Sequence, residues 1–233
     1  TITPKPQYGN PKPRVFRLEE DEALINRLGF NNSGSEEISS RIFKETKKGV
    51  IGINIGPNKD SENRIEDYVN CFNKFHSLAD YITINISSPN TENLRDFHNQ
   101  DELNSLVKEL KNEKKKLNSK VPIAVKVSPD LNDEQIEVVS NILLDQEIEI
   151  IIVSNSSDKN RDKLNNINKL EKGGLSGKPL YEISNNVISK FYKLLGNKIK
   201  IIGVGGVDSG ETAFEKIIRG ASLVQLYTGM VYK

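Results

Sequence analysis

Six short runs of mostly apolar residues recur along the chain, and each is rich in isoleucine and valine. The runs cover residues 50–56, 81–86, 123–127, 148–153, 200–204 and 223–227. Nearly continuous apolar character over so short a length is typical of strands that are buried on both faces, as in parallel sheets. The pattern therefore predicts a parallel sheet that is covered by helices.

The segments between these runs place apolar residues three or four positions apart, which is the spacing of an amphipathic helix. The clearest sets are Ile65, Val69 and Phe72; Leu103, Leu106 and Leu110; Ile136, Val139 and Leu143; Ile183, Val187 and Phe191; and Phe214, Ile217 and Ile218. Asn132, with Gln135 three residues later, and Ser209 suit helix N-caps, and Gly196 suits a C-terminal cap. Helices are thus predicted to alternate with strands.

Glycine-bearing loops after the last two runs decide between the two folds that such alternation allows. GVGGVDSG occupies residues 203–210 and LYTG occupies residues 226–229. In a barrel the loops after the last two strands hold phosphate, whereas a Rossmann sheet carries its glycine loop after its first strand. We therefore predict an α/β fold, a (β/α)8 TIM barrel with about six of its eight strands present in this chain.

The first 49 residues differ from the rest because their closely spaced proline and glycine residues disfavour regular structure. We interpret residues 1–49 as a long loop and a helical segment that follow a barrel strand absent from this chain. Residues 50–233 then supply six βα units. The whole chain, residues 1–233, is interpreted as one partial barrel domain that starts within the domain.

Charge and composition exclude several functional classes. The chain has 33 basic and 32 acidic residues, so no overall positive field attracts nucleic acid. One cysteine, Cys71, cannot form an internal disulfide, and two histidines, His76 and His98, leave little for a metal site. No run approaches the roughly 20 apolar residues of a membrane span. We expect no metal and no nucleic-acid partner, and we expect this segment alone to be soluble.

Polar side chains stand at the ends of the predicted strands, where a parallel barrel places its reactive residues. Asn54, Asn85 and Asn155 are carboxamides at or just after three strand ends, and Lys126 lies inside another strand. Carboxamides suit a ligand edged with alternating carbonyl and N–H groups, such as a pyrimidine or an isoalloxazine. A lysine in a buried strand favours an anionic ligand, because an unpaired ammonium there is costly. Ser88 has no nearby histidine or acid in sequence, which argues against a hydrolytic triad.

Ordered motifs along the chain resemble those of dihydroorotate dehydrogenases, specifically the class 2 branch that is linked to quinones. They are TPKPQYGNPKPRVFR, INRLGFNN, GINIGPNKD, NISSPNTENLR, VKVSPDL, GGLSGKPL, IIGVGGVDSG and GASLVQLYTG, and together they cover essentially all of the chain. So many motifs in one order make this resemblance far more specific than a single glycine motif.

The resemblance implies a barrel that holds FMN, oxidises dihydroorotate to orotate in pyrimidine synthesis and passes electrons to a quinone. It implies a monomer, and peripheral association of the full enzyme with a bacterial or mitochondrial inner membrane through an N-terminal segment outside this chain. Ser88 is implied as the catalytic base. Class 1 enzymes carry cysteine at that position, so the serine is the main reason for choosing class 2.

The resemblance also implies two sets of binding residues. The substrate set is Asn26, Arg27, Leu28, Gly29, Phe30, Asn85, Asn90, Asn155 and Ser156. The cofactor set is Thr1, Asn54, Asn85, Lys126, Ser154, Gly177, Gly206, Tyr227 and Thr228, with Gly206, Tyr227 and Thr228 around the phosphate.

Departures from the family pattern leave alternatives open. The chain lacks a GFDKNG-like segment and the N-terminal helices of the family, and it stops before the usual final helix. Pro57 stands where a basic residue is common, and serines replace threonines around Asn155. The alternatives are a non-catalytic or split fragment of such an enzyme, another FMN-dependent barrel oxidoreductase, and a flavin-free isomerase barrel that binds phosphate.

Overall fold

The computed structural model describes residues 1–45, 49–90, 94–159 and 161–232. Its strands are β1 (Val15–Leu18), β2 (Ala23–Asn26), β3 (Gly52–Ile55), β4 (Tyr81–Asn85), β5 (Ile123–Val127), β6 (Ile150–Val153), β7 (Gly174–Gly177), β8 (Lys200–Val204) and β9 (Leu223–Gln225). Its helices are α1 (Ser35–Lys44), α2 (Arg64–Phe75), α3 (Gln100–Lys116), α4 (Asp133–Asp145), α5 (Tyr181–Leu195), α6 (Gly210–Ile218) and α7 (Gly229–Tyr232).

A six-stranded parallel sheet forms the centre of the molecule, in the order β3-β4-β5-β6-β8-β9. Neighbouring strands of the sheet follow one another along the chain, except that β7, between β6 and β8, belongs to a different sheet. Helices connect the successive strands. Sequential parallel strands joined by helices are the arrangement of a (β/α)8 barrel rather than of a doubly wound sheet, whose strand order reverses at a switch point. The predicted partial barrel is confirmed, and all six predicted runs contain its strands.

The two faces of this sheet bury different kinds of side chain. One face presents residues such as Ile53, Ile84 and Val125 to the helices, and these belong to the main hydrophobic core. The opposite face is lined by a smaller cluster that includes Ala124 and Ile152. Successive side chains of a strand point to opposite faces of the sheet. The residues that alternate with the helix-facing ones therefore all point toward the interior of the barrel, which we call the inward face.

The opening segment contains a helix, α1, as predicted, but the part predicted as a long loop also contains two strands. Strands β1 and β2 pair antiparallel as a hairpin, and β2 pairs antiparallel with β7, which makes a separate three-stranded sheet. The register places Asn26 opposite Gly174 and Ile25 opposite Leu175. Leu18, Ile25 and Leu175 form its small buried core. These short strands are stabilised by one another across about 150 residues, which no local pattern indicates.

The predicted helix caps are present. At α4 the Asn132 side chain accepts from the Gln135 N–H (2.8 Å), and Gln135 Oε1 accepts from the Asn132 N–H (3.1 Å), so both halves of a capping box form. Ser209 and Thr212 make the equivalent box at α6. Gly196 follows α5 with φ of +54°, which suits glycine.

Replacing Asn132 by alanine is expected to lower the free energy of unfolding by about 1 kcal/mol, because the first turn of α4 loses an acceptor for its exposed N–H groups. Chemical denaturation checks this. The exposed Asn197, replaced in the same way, is the control and should change stability by less than about 0.5 kcal/mol. Equal losses in both variants would contradict the assigned cap.

No helix among the residues described here combines the length and the apolar character needed to cross a lipid bilayer.

Candidate active site

Three of the predicted polar residues share the inward face of the parallel sheet because of the two-residue period of their strands. Asn54 lies between the core residues Ile53 and Ile55, Asn85 follows Ile84, and Lys126 follows Val125. The strand register places Asn85 directly beside Lys126 on the neighbouring strand. A pattern of apolar and polar residues along single strands therefore becomes a polar surface across strands.

Hydrogen bonds join the predicted amides into a continuous chain. Thr1 Oγ1 donates to Asn54 Oδ1 (2.7 Å) and accepts from Asn85 Nδ2 (2.8 Å). Asn155 Nδ2 donates to Asn85 Oδ1 (3.1 Å) and to Ser87 Oγ (2.9 Å). Each carboxamide both donates and accepts, so these hydrogen bonds fix the orientation of every amide and determine which of its edges remains free for a ligand.

A cavity of about 270 Å³ lies between the two sheets. One wall comes from the small antiparallel sheet, including Leu24, Asn26 and Gly177, and the other comes from the carboxyl ends of the parallel strands. The cavity brings together the following predicted residues: Asn26, Leu28, Lys126, Ser154, Asn155, Ser156, Gly177, Gly206, Tyr227 and Thr228. Ten of the predicted residues thus line one site.

Lys126 lines this cavity without a protein partner. Within the described ranges the structure shows neither a hydrogen bond nor an ion pair for its ammonium group. Burial lowers the pKa of Lys126 to about 8. An ammonium held in this way favours an anion or an electron-rich ring edge in the cavity, since such a ligand would replace the missing solvation.

The glycine loop after β8 forms the part of the cavity expected to hold phosphate. Gly205 and Gly206 have φ of +116° and +71°, in the left-handed region. A Cβ on Gly206 would lie 2.6 Å from Tyr181 Cα, so only glycine allows the loop to approach α5 this closely. The backbone N–H groups of Gly206 and Thr228 have no hydrogen-bond acceptor among the described residues. These donors fit a phosphate, and with Lys126 they fit the expected flavin.

The opening hairpin contributes to the site through Asn26. Asn90 Nδ2 donates to the Asn26 carbonyl (2.9 Å) and contacts Asn26 Oδ1 (3.3 Å). These bonds tie the loop after β4 to the end of β2. Asn26 and Asn90, both predicted to bind substrate, are thus in direct contact, although Asn90 does not line the cavity.

Ser88, the predicted base, is buried in the loop after β4. Its Oγ accepts a hydrogen bond from the Asn90 N–H (3.2 Å), and its side chain is 6% exposed. It lies outside the cavity wall, as do Thr1, Asn54 and Asn85, which reach that wall through the hydrogen-bond chain. Residues 91–93 of the NISSPNTENLR motif lie outside the described residues.

Three predicted substrate residues are placed away from the cavity. Arg27 pairs with Glu171 (2.7 Å) and stacks over the Phe16 ring, so its charge is already neutralised. Gly29 has φ of +71° and packs against Asn10, and Phe30 contacts the main core. These residues shape the turn that follows β2, and the structure gives them no direct place in the cavity.

Arg95, which was not among the predicted site residues, joins the loops of the site. Its guanidinium donates to the Ser156 carbonyl (3.2 Å) and to Asp158 (2.9 Å), and it contacts Asp130 (3.2 Å) and the Ser87 carbonyl (3.4 Å). Three loops from neighbouring strands are thereby fixed together. The sequence does contain a signal for this role, an arginine in the loop after β4 and acidic residues in the loops after β5 and β6. The ends of these neighbouring parallel strands converge, so an ion pair between the loops could have been predicted.

Cys71 and His98 lie apart from this site. Burial raises the pKa of the Cys71 thiol to about 12 and lowers the pKa of His98 to about 4. Neither carries charge or reactivity at neutral pH under these conditions, which fits a structural role. In the described ranges no three histidine, cysteine, aspartate or glutamate side chains are grouped to hold a metal ion.

The family model described as dihydroorotate dehydrogenase matches residues 1–233. A protein named dihydroorotate dehydrogenase (quinone) from Bartonella tribocorum is 48% identical, with all of this chain covered and 66% of that protein. A protein of the same name from Idiomarina loihiensis is also 48% identical, with 71% of it covered. The chain therefore spans about two thirds of the length of the curated relatives that it matches.

Solved structures are similar over the whole chain. The ligand-free DHODH of Eimeria tenella has a TM-score of 0.95 and 36% identity, and the match covers 100% of this chain and 71% of that one. The complex of DHODH from the same organism with ferulenol has a TM-score of 0.93 and 36% identity, and the match covers 99% and 68% of the two chains.

Proposed function

Since this chain belongs to the dihydroorotate dehydrogenase family, we propose that it oxidises dihydroorotate to orotate in pyrimidine synthesis, with FMN as cofactor and a quinone as electron acceptor. The observation that carries the proposal is the pairing of Asn85 with Lys126 on the inward face, beside a cavity that ends in a glycine loop. This site offers amide edges, the Lys126 ammonium group, which has no protein partner among the described residues, and backbone donors for a phosphate. Together these groups suit a flavin and a pyrimidine.

The cofactor would be held at two ends. The backbone donors of Gly206 and Thr228 would bind its phosphate, and Gly177 leaves room for Thr228, whose Cγ2 would lie 3.0 Å from a Cβ there. Lys126, with Ser154, Asn54 and Thr1, would face the ring system. The buried Lys126 ammonium would stabilise negative charge on the ring of the bound cofactor, because it is already held at the cavity wall.

The substrate would lie between the ring system and the loop after β4. Asn85, Asn90 and Asn155, with Asn26, Leu28 and Ser156, would orient its carbonyl and N–H groups. Bound FMN supplies the acceptor for the hydride that leaves C6 of dihydroorotate. Ser88 Oγ would take the proton from C5 while its own hydroxyl proton passes to a neighbouring hydroxyl or water, since a neutral hydroxyl is a very weak base by itself. The hydrogen bond from the Asn90 N–H to Ser88 Oγ orients the hydroxyl for this role.

Arg27, Gly29 and Phe30 support the substrate site indirectly in this proposal. They define the turn after β2, which sets the position of Leu28 in the cavity wall. The quinone, the monomeric state and peripheral attachment to a membrane follow from the family and complete the proposal.

The test is anaerobic mixing of the purified intact protein with dihydroorotate. We expect a yellow protein whose flavin absorbance falls on mixing, and we expect steady turnover with a soluble quinone but not with fumarate or NAD. A colourless protein that binds no FMN would reject the flavoenzyme. Turnover with fumarate or NAD alone would place the protein outside the quinone-linked branch.

A further inference from the structure

Lys216 is a fully buried lysine on α6 that the proposed chemistry leaves unused. Its side chain is 0% exposed, and no carboxylate lies within ion-pair distance among the described residues. Its ammonium instead donates to Ser184 Oγ (2.5 Å) and to Asn185 Oδ1 (2.7 Å). Burying a charge with only neutral partners is costly, so the placement calls for a reason beyond packing.

The contacts of Lys216 lead to the glycine loop. Ser184 Oγ, which accepts from Lys216, has one proton of its own and contacts the Gly205 carbonyl at 3.0 Å. The ammonium uses the hydroxyl oxygen as its acceptor, so the single hydroxyl proton is left for one of two carbonyls, that of Gly205 (3.0 Å) or that of Tyr181 (3.2 Å). Hydrogen bonds therefore connect Lys216 through Ser184 to the glycine loop and to the start of α5.

A second route runs through Tyr181. The Lys216 ammonium lies 5.1 Å from the centre of the Tyr181 ring and contacts the Tyr181 carbonyl at 3.4 Å. The backbone of Tyr181 is the surface against which Gly206 packs, because a Cβ on Gly206 would meet Tyr181 N at 2.7 Å. Lys216 thus holds both glycines of the loop, each through a different residue at the start of α5.

We propose that Lys216 is a positioning residue that fixes the backbone of Gly205 and Gly206 for binding the phosphate of the cofactor. The inference rests on the proposed function, since it assumes that this loop binds a flavin phosphate. Burial lowers the pKa of Lys216 to about 8, and the charges of Glu182 and Glu215 oppose that shift while Arg219 adds to it. The lysine is accordingly still charged at neutral pH, which strengthens its bonds to Ser184 and Asn185.

The test compares two flavins on the apoprotein prepared from the intact enzyme. In the Lys216→Met variant, FMN affinity should fall roughly tenfold, the scale of one charged hydrogen bond, while riboflavin affinity changes less than about twofold. Riboflavin has the same ring but no phosphate, so the ratio of the two affinities reports on the loop alone. Quenching of flavin fluorescence measures both.

Lys114→Met is the matched control. Lys114 is also largely buried, but it pairs with Glu149 at the other end of the sheet, where β5 and β6 begin. The control should leave the ratio of affinities unchanged. If the Lys216→Met variant does not fold, the Ser184→Ala variant provides the test. It removes the hydrogen bond to the Gly205 carbonyl, so it should also lower the affinity for FMN relative to the affinity for riboflavin.

An unchanged ratio in the folded variant, or an equal loss for both flavins, would overturn the role of Lys216. A wild-type protein that does not prefer FMN over riboflavin would instead overturn the proposed function, and the inference with it. The two failures are distinguishable because the second is seen before any substitution is made.

Discussion

Replacement of Ser88 by alanine is expected to slow reduction of the bound flavin by dihydroorotate at least roughly a hundredfold, the scale for loss of a positioned base. The affinity for orotate should change little, because the amides of Asn85, Asn90 and Asn155 provide most of the polar contacts to the ring in the proposed complex. Stopped-flow absorbance under anaerobic conditions measures the reduction step, and titration with orotate measures binding.

Ser140→Ala is the control for this experiment. Ser140 is another fully buried serine, but its hydroxyl donates to the Ile136 carbonyl within α4 (2.7 Å), away from the cavity. Flavin reduction in that variant should match the wild-type protein. Ser88→Cys restores a group that can lose a proton and should recover part of the rate. Flavin reduction in Ser88→Ala at the wild-type rate would remove Ser88 from the mechanism.

Replacement of Lys126 by methionine is expected to change function and stability in opposite directions. Flavin reduction should slow by roughly a hundredfold, because the ring loses the ammonium group proposed to stabilise its developing charge. The apoprotein should gain about 1–3 kcal/mol of unfolding free energy, because a buried ammonium without a partner is removed. Stopped-flow kinetics and denaturation of the apoprotein measure the two effects.

The pH dependence of stability provides a separate check on Lys126. Burial lowers its pKa from 10.5 to about 8, so between these values the unfolded protein binds the proton more strongly than the folded protein does. The wild-type apoprotein should therefore gain stability relative to Lys126→Met as pH rises from 8 to 10.5, and the difference should be constant below pH 8. A difference independent of pH would contradict the assigned burial.

The parallel sheet could be predicted because each of its strands carries its own signal. Ile53, Ile84 and Val125 belong to short apolar runs rich in β-branched residues, which favour strands before any partner is known, and helical spacing fills the intervals. The hairpin could not be predicted in this way. Strand β7 is GLSG and has one large side chain, Leu175, so its conformation depends on pairing with β2 rather than on its own composition.

The same distinction between local and long-range signals applies to the residues of the candidate site. Asn54, Asn85, Lys126 and Asn155 were predictable because parallel topology brings strand ends together, whatever the detailed packing. Arg95 and Lys216 were not, since their roles depend on contacts with residues far away in sequence, such as Asp158 and Ser184. Lysine and arginine on helices or loops usually face solvent, so composition alone favours the wrong interpretation for both.

The cavity between the two sheets has a consequence for engineering. Its amide and lysine side comes from the parallel strands, whereas Leu24, Leu28 and Ser176 belong to the hairpin sheet and its flanking turn. Ser176 Oγ accepts a hydrogen bond from Thr228 Oγ1 (2.9 Å), so Ser176 is tied to the proposed phosphate site. Substitutions at Leu24 and Leu28 would change the shape of the cavity and leave Lys126 and Asn155 in place on the opposite wall. A library confined to Leu24 and Leu28 would therefore test which ligand shapes the cavity accepts while the contacts proposed for the cofactor stay unchanged.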